Sequence, residues 1–131
     1  MRTQRSKEDY LEAILMLGNE GGAVRAVDVA EHLHYSKPSV SRAVSILAAE
    51  GMIWLDEDKF IHLTKAGRLL AGKVYEKHLF FKEMLMRAGV DEAAAAENAC
   101  LIEHAISNEA FDKIKLAYLK NHDEMPGILA E

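Results

Sequence analysis

The sequence predicts a mainly α-helical protein with one short β-hairpin, and three observations support this class. Apolar residues recur at intervals of three and four along most of the chain, which is the period of an amphipathic helix. Capping residues stand before several of these stretches. Two short alternating segments flank an acidic turn, as in a hairpin. The 131 residues suffice for one ordinary domain or for two small ones that share a core, and we expect two, at 1–72 and 73–131.

The first three helices are predicted from their apolar stripes and their ends. Ser6 is a plausible N-cap of the first helix, and Ser36 of the third, because a serine hydroxyl can accept a hydrogen bond from an amide of the first turn. Pro38 suits the first turn of the third helix, where its missing N–H is not needed. Gly51 ends that helix. We expect these helices at residues 6–18, 26–34 and 37–50.

The second and third helices, joined by a tight turn, form a helix-turn-helix. The start of the third carries small hydroxyl and basic side chains, which allow close approach to DNA and contacts to phosphates and bases. Serine-rich helix starts are also common as simple caps, so the motif alone is not decisive. The residues that we expect to contact DNA are Ser36, Lys37, Pro38, Ser39, Ser41 and Arg42.

A hairpin directly after this motif is a wing. Its predicted strands are residues 52–55 and 60–63, and the turn between them is acidic except for Lys59. Wings commonly touch phosphates, so the acidic tip predicts weak contact there, through Lys59 alone. The remaining helices follow at 64–86, capped by Thr64, at 92–106, capped by Asp91, and at 109–119. The chain is therefore predicted to be an N-terminal winged helix-turn-helix followed by a helical domain.

The densest group of metal-binding residue types is Cys100, Glu103 and His104. Their spacing of i, i+3 and i+4 places a thiol, a carboxyl and an imidazole on one face of a helix. Asp9 and Glu12 repeat the three-residue spacing on the first helix. A lone helical cysteine is more often a small buried hydrophobe, but the neighbouring Glu and His favour a ligand. The other histidines are expected at the surface: His32, His34, His62 and His122.

Composition places further limits on function. The single cysteine cannot form an internal disulfide, which fits a reducing compartment, and no apolar run approaches a membrane span, so we expect a cytoplasmic protein without membrane partners. The net charge of −5 argues weakly against DNA binding. That argument loses force if acidic residues cluster at a metal site, because two divalent cations would add about four positive charges.

The chain resembles the metal-dependent repressors of the diphtheria toxin repressor and manganese transport regulator family. The resemblance rests on residues 8–12, 36–41 and 63–67, on His78, and on the pair Glu103-His104. It implies a homodimer with an N-terminal winged helix and a C-terminal region for dimerisation and metal binding. In this chain the resemblance implies a DNA-binding domain at 1–72 and a metal-binding and dimerisation domain at 73–131.

The resemblance also implies a ligand set. In the manganese branch two metals share Asp, Glu, His, Glu, Glu and His, and five positions of this chain match. Cys100 stands at the remaining Glu position, as in the iron-type members, which have Met in place of Asp9. Their ancillary site would need Glu and His where this chain has Lys82 and Ala96, so that site is expected to be absent. The implied metal ligands are Asp9, Glu12, His78, Cys100, Glu103 and His104.

These ligands form a hybrid of the two branches. A thiolate is soft and favours Fe(II), Co(II), Ni(II) or Zn(II), whereas the carboxylates of Asp9 and Glu12 are hard and keep Mn(II) possible. We therefore expect Fe(II) to be preferred, with Mn(II) as the near alternative and Co(II), Ni(II) or Zn(II) as substitutes.

The expected function is that of a metal-activated transcriptional repressor, controlling metal-homeostasis genes as a homodimer on a palindromic double-stranded DNA operator, with no small-molecule substrate. One alternative is a small metal-dependent hydrolase that uses Glu103 and His104, although the chain lacks a His-Glu-x-x-His motif. Another is a winged-helix regulator that senses no metal. Metal titration of DNA affinity distinguishes them, because only the repressor depends on both.

Overall fold

The structure, a computed structural model, describes residues 4–121 and shows six helices and one two-stranded sheet in that range. The elements are α1 Gln4–Asn19, α2 Ala26–Leu33, α3 Lys37–Ala49, β1 Ile53–Leu55, β2 Ile61–Leu63, α4 Lys65–Arg87, α5 Glu92–Ala105 and α6 Asn108–Asn121. This order confirms the predicted fold class, a winged helix-turn-helix followed by helices. The chain divides after Gly72 into two compact units, so that α4 contributes to both.

The helix-turn-helix of the first unit is built by local hydrogen bonds. His34 ends α2 in the left-handed conformation, with φ 60°, and its N–H donates to the carbonyl of Ala30. The Ser36 hydroxyl accepts the N–H of Ser39 at 3.2 Å and starts α3, as predicted. Pro38 lies in the first turn of α3. The turn between the helices is therefore short and fixed at both ends.

The predicted cap at Ser6 is wrong. Helix α1 already includes Gln4, whose side-chain amide donates to Glu8 at 3.2 Å, and Ser6 lies inside the helix. A serine can occupy a helix interior at small cost, so the stretch before it simply continues the helical pattern. Local capping signals identified the later helices correctly, because Thr64 and Asp91 accept first-turn amides from Gly67 and Ala94.

The wing is an antiparallel hairpin in which Ile53 pairs with Leu63 and Trp54 with His62. The Trp54 and His62 rings stack with centroids 4.3 Å apart. His62 donates to a carboxylate oxygen of Asp56 at 2.8 Å. That hydrogen bond lowers the pKa of Asp56 below its ordinary value, and the amides of Phe60 and Asp58 add to the effect against the opposing influence of burial.

The acidic turn is therefore an ordered structure. The other carboxylate oxygen of Asp56 accepts the backbone N–H groups of Asp58 and Phe60, and Lys59 adopts a left-handed conformation with φ 69°. The Asp56 carboxylate therefore accepts hydrogen bonds from three donors. Lys59 is exposed and is the basic side chain of the turn, as the sequence indicated.

The core of the first unit joins α1, α2 and α3 to the hairpin. Its fully buried members include Leu11, Val29, Val40 and Leu47. Gly67 is required by close packing, because a Cβ there would collide with the carbonyl oxygen of Met52. The core thus fixes the start of α4 against the residue that precedes β1.

The second unit has a smaller core of aromatic rings from α4 and α6 and small residues of α5. Phe80 and Phe111 are fully buried and meet edge to face at 5.4 Å. Beside them, Lys73 lies 3.3 Å from Glu76 and 3.4 Å from Asp112. Burial alone would lower the pKa of Lys73, but the two carboxylates outweigh burial and raise it. None of the helices in residues 4–121 combines the length and apolar character that crossing a membrane requires.

Candidate metal centre and DNA-binding surface

Three donor side chains converge on the last two turns of α5, in the second unit. One ligand atom from each of Cys100, Glu103 and His104 lies within 4.8 Å of the others. The helix ends at Ala105, so all three lie close to its C-terminus. This is the face that the i, i+3, i+4 spacing predicts, and no backbone rearrangement is needed to bring the donors together.

Glu103 is the centre of this group. Its side chain has no exposed surface, and one carboxylate oxygen lies 2.6 Å from Nδ1 of His78. The other oxygen lies 3.3 Å from Nε2 of His104, whose side chain is 3% exposed. A buried carboxylate is costly unless donors or cations surround it; here His78 is within hydrogen-bonding distance and the His104 imidazole lies beside the other oxygen. The arrangement favours positive charge at this point.

His78 joins the group from α4. If the Glu103 carboxyl is ionised it can only accept, so Nδ1 of His78 donates across the 2.6 Å contact, and in a neutral imidazole the lone pair is then on Nε2. A carboxylate that orients a histidine in this way is a recurrent partner of metal-binding imidazoles. Four of the six predicted ligands are therefore brought together within the second unit.

The other two predicted ligands lie on α1 in the first unit. Asp9 and Glu12 are three residues apart on one face of that helix, and Glu12 is buried whereas Asp9 is half-buried. They flank Tyr10, whose ring meets that of Tyr35 at 5.6 Å, in the turn before α3. The helix that carries these carboxylates is thus packed against the helix-turn-helix within the same unit.

The donor set of the second unit fits a divalent transition metal. Thiolate, carboxylate and imidazole are the ligand types of such ions, and oxygen-preferring ions such as Mg²⁺ rarely take a thiolate. Cys100, Glu103 and His104 would hold the ion, and His78 contacts Glu103 beside them. The chemistry that it would supply is positive charge that neutralises the buried carboxylate.

The predicted DNA-contacting residues lie at the start of α3 and directly before it. Ser36, Lys37, Pro38, Ser39, Ser41 and Arg42 are all exposed, at the start of α3. A groove of about 520 Å³ includes Ser36, Ser39 and Arg42. His34 and Tyr35 also line it, and neither is among the predicted DNA-contacting residues. The signal for both was their place directly before the helix cap.

The remaining histidines and the positions of the ancillary site have other surroundings. His32 and His34 are exposed, whereas His62 is half-buried and held by Trp54 and Asp56, so it is more than a plain surface group. His122 lies outside the described residues. Lys82 forms an ion pair with Glu92 at 3.2 Å. Lys82 stands where the ancillary site would need a glutamate, and its ammonium is paired with another carboxylate.

Both units match models of known domains. Residues 2–59 match the N-terminal DNA-binding domain of the iron-dependent repressors, and residues 64–127 match their metal-binding and dimerisation domain. The chain belongs to the iron-dependent repressor family. Iron-dependent repressors are metal-dependent transcriptional repressors and not enzymes, so the hydrolase alternative is not favoured. The matched domains identify DNA and a second copy of the chain as partners.

Individual relatives include transcriptional regulators and a protein named as a manganese regulator. The transcriptional regulator MntR of Escherichia coli is 34% identical over 83% of this chain and 70% of its own length. The structure of the manganese regulator SloR is 32% identical with a TM-score of 0.70, covering 82% of this chain and 52% of that one. The structure of T. acidophilum IdeR is 25% identical with a TM-score of 0.76, covering 96% and 57%. The chain thus spans little more than half the length of these two solved proteins.

Proposed function

We propose that this iron-dependent repressor is activated by Fe(II), with Mn(II) as the near alternative, and that it controls metal-homeostasis genes in the cytoplasm. The active form is a homodimer that places one winged helix on each half of a palindromic operator, since the two-fold symmetry of a dimer matches that of a palindrome. The observation that carries the proposal is the convergence of Cys100, Glu103 and His104 in the second unit, with His78 in contact with Glu103.

We further propose that Asp9 and Glu12 complete the ligand set. Two arguments support their inclusion: the three-residue spacing of Asp9 and Glu12 on α1, and the family resemblance. The full set is Asp9, Glu12, His78, Cys100, Glu103 and His104. Carboxylates gathered without a cation repel one another, so a divalent cation stabilises the state in which the ligand set is complete. Metal then shifts the population toward the state that binds DNA.

The preference for Fe(II) rests on Cys100. A thiolate penalises Mn(II) relative to the later divalent metals, whereas the carboxylates of the set tolerate both. The relatives named for manganese support Mn(II) as the alternative. Co(II), Ni(II) and Zn(II) can substitute on the same ligand chemistry.

The test is operator binding at buffered concentrations of each metal, under anaerobic conditions, with metal counted per subunit. We expect no specific binding without metal, and activation by Fe(II) at a lower free concentration than by Mn(II). Operator binding that is equally tight in the presence of a chelator would contradict metal activation, and a lower requirement for Mn(II) would contradict the assigned preference.

The DNA surface makes a separate prediction. Arg42→Ala should weaken operator binding by about 1–3 kcal/mol if the arginine reads a base, with metal affinity unchanged. Arg42 is exposed in the groove at the start of α3. Competition titrations with operator variants measure the effect base by base. Arg68→Ala is the matched control, because Arg68 is exposed in the same unit but does not line this groove.

Lys37→Ala should behave differently from Arg42→Ala. Loss of a phosphate contact weakens binding to all sequences and flattens the slope of log affinity against log salt by about one unit. Lys37 is exposed in the first turn of α3, where helix starts meet phosphates. If the Arg42 and Lys37 variants both keep wild-type operator affinity, the recognition surface has been assigned to the wrong place.

A further inference from the structure

Lys77 is a buried lysine directly beside the metal-binding residues. It is 5% exposed, and within residues 4–121 the only other charged side chains that are buried are those of Glu12 and Glu103. Both of those belong to the proposed ligand set, whereas a lysine cannot bind a cation while it is protonated. Burying an ammonium is costly, so its retention at this position needs an explanation.

The ammonium of Lys77 holds the end of α5. Its Nζ donates to the backbone carbonyl of Ile106 at 2.8 Å. Ile106 caps α5 in an extended conformation and lies two residues before α6 begins. Its own N–H still donates to Ile102 at 3.2 Å. The bond from Lys77 therefore anchors the junction at which the helix that carries the ligands stops.

Consecutive residues of α4 act on the same turn of α5. Lys77 contacts the backbone at Ile106, and His78 contacts the side chain of Glu103 at 2.6 Å. Glu103 and His104 lie in the last turn before the anchored carbonyl. The last turn of a helix lacks half of its backbone hydrogen bonds and frays unless something holds it. A cation near the helix C-terminus is also favoured by the helix dipole.

We propose that Lys77 is a positioning residue of the metal centre. It does not bind the metal; it fixes the last turn of α5 so that the donors of Glu103 and His104 stay where a single ion can take both. Metal ligands must converge on one point at about 2.0–2.3 Å, so fraying of this turn lowers affinity even when every ligand is present. This inference rests on the proposed metal site and adds the residue that organises it.

The test is Lys77→Met in the full-length dimer, which removes the donor and the charge but keeps a long side chain. We expect Co(II) affinity to fall by about 10–100-fold, the range found for residues that support metal ligands, with an altered Co(II) absorption spectrum. Amide hydrogen exchange on metal-free protein should show faster exchange at His104, Ala105 and Ile106. Lys77→Arg keeps the charge and the donors and should restore most of the affinity.

Lys73→Met is the matched control. Lys73 lies one turn earlier on α4 and pairs with Glu76 and Asp112, away from the end of α5. We expect it to lose thermal stability while Co(II) affinity, spectrum and exchange at residues 104–106 stay at wild-type values. If Lys77→Met does not fold, Lys77→Gln replaces it, since the shorter uncharged side chain should give the same loss of affinity.

The outcomes separate the two proposals. If wild-type protein binds Co(II) normally and the Lys77 variants bind it equally well with an unchanged spectrum, Lys77 serves only the fold and this inference is wrong. If wild-type protein binds no Co(II), or binds it equally well after Glu103→Ala, the proposed site itself is wrong.

Discussion

Glu103→Ala is expected to abolish metal-activated operator binding while the protein stays folded and dimeric. Glu103 is buried, its carboxylate lies between His78 and His104, and Cys100 shares its helix face. Removing it deletes one proposed ligand and also removes the carboxylate that Nδ1 of His78 contacts. Loss of a single supporting residue at a metal site costs about 10–100-fold in affinity, so loss of this central ligand should exceed that range.

The measurement is operator binding as a function of free metal, with circular dichroism and size-exclusion chromatography to verify fold and dimer. Glu103→Gln keeps the shape and removes the charge, so it should also lose activation. Glu97→Ala is the matched control, because Glu97 is an exposed carboxylate on the same helix. A Glu103→Ala protein that responds to the same free metal concentration as wild type would falsify the assigned site.

The fold was predictable where local chemistry decides it. Ser36, Thr64 and Asp91 each accept an amide of the helix that follows, so the hydroxyl or carboxyl in the sequence marked the helix start. Ser6 offered the same residue type, but helix α1 includes residues before it. A capping residue marks a helix start only where the residues before it are not helical. The conformation of those residues depends on their own sequence and contacts as well as on the capping residue.

The metal centre was predictable only in part. The convergence of Cys100, Glu103 and His104 follows from helix geometry alone. His78 entered the set through the family resemblance, because its contact with Glu103 depends on how α4 and α5 pack. No spacing rule connects residues 25 positions apart on different helices.

Lys77 shows why a supporting residue escapes a sequence analysis. It lies at a position of the apolar stripe of α4, with Val74 and Phe81 as buried neighbours at helical spacing. A lysine in such a stripe is usually interpreted as an interruption of the apolar face. Its partner is a backbone carbonyl, which every residue has, so the sequence contains no sign of the pairing.

Cys100→Glu is expected to change the metal preference. The substitution exchanges a soft thiolate for a hard carboxylate at a half-buried position beside Glu103 and His104. Mn(II) should then become a better activator relative to Fe(II). We expect the ratio of the two activating concentrations to change by about tenfold or more, the size of effect that mutations around metal sites have on metal affinity. Operator titrations with both metals, at equal buffered free concentrations, measure the ratio.

Direct ligation by Cys100 can be established independently of DNA binding. A thiol must lose its proton to bind a metal, and a sulfur–cobalt bond gives a charge-transfer band in the near ultraviolet. We expect this band in the wild-type protein with Co(II) and its loss in Cys100→Ser, which matches the cysteine in size. Absence of the band in the wild type, with an unchanged metal ranking in Cys100→Glu, would mean that Cys100 only packs. The selectivity would then have to come from the carboxylates and imidazoles, which favour Mn(II) more than the hybrid set does.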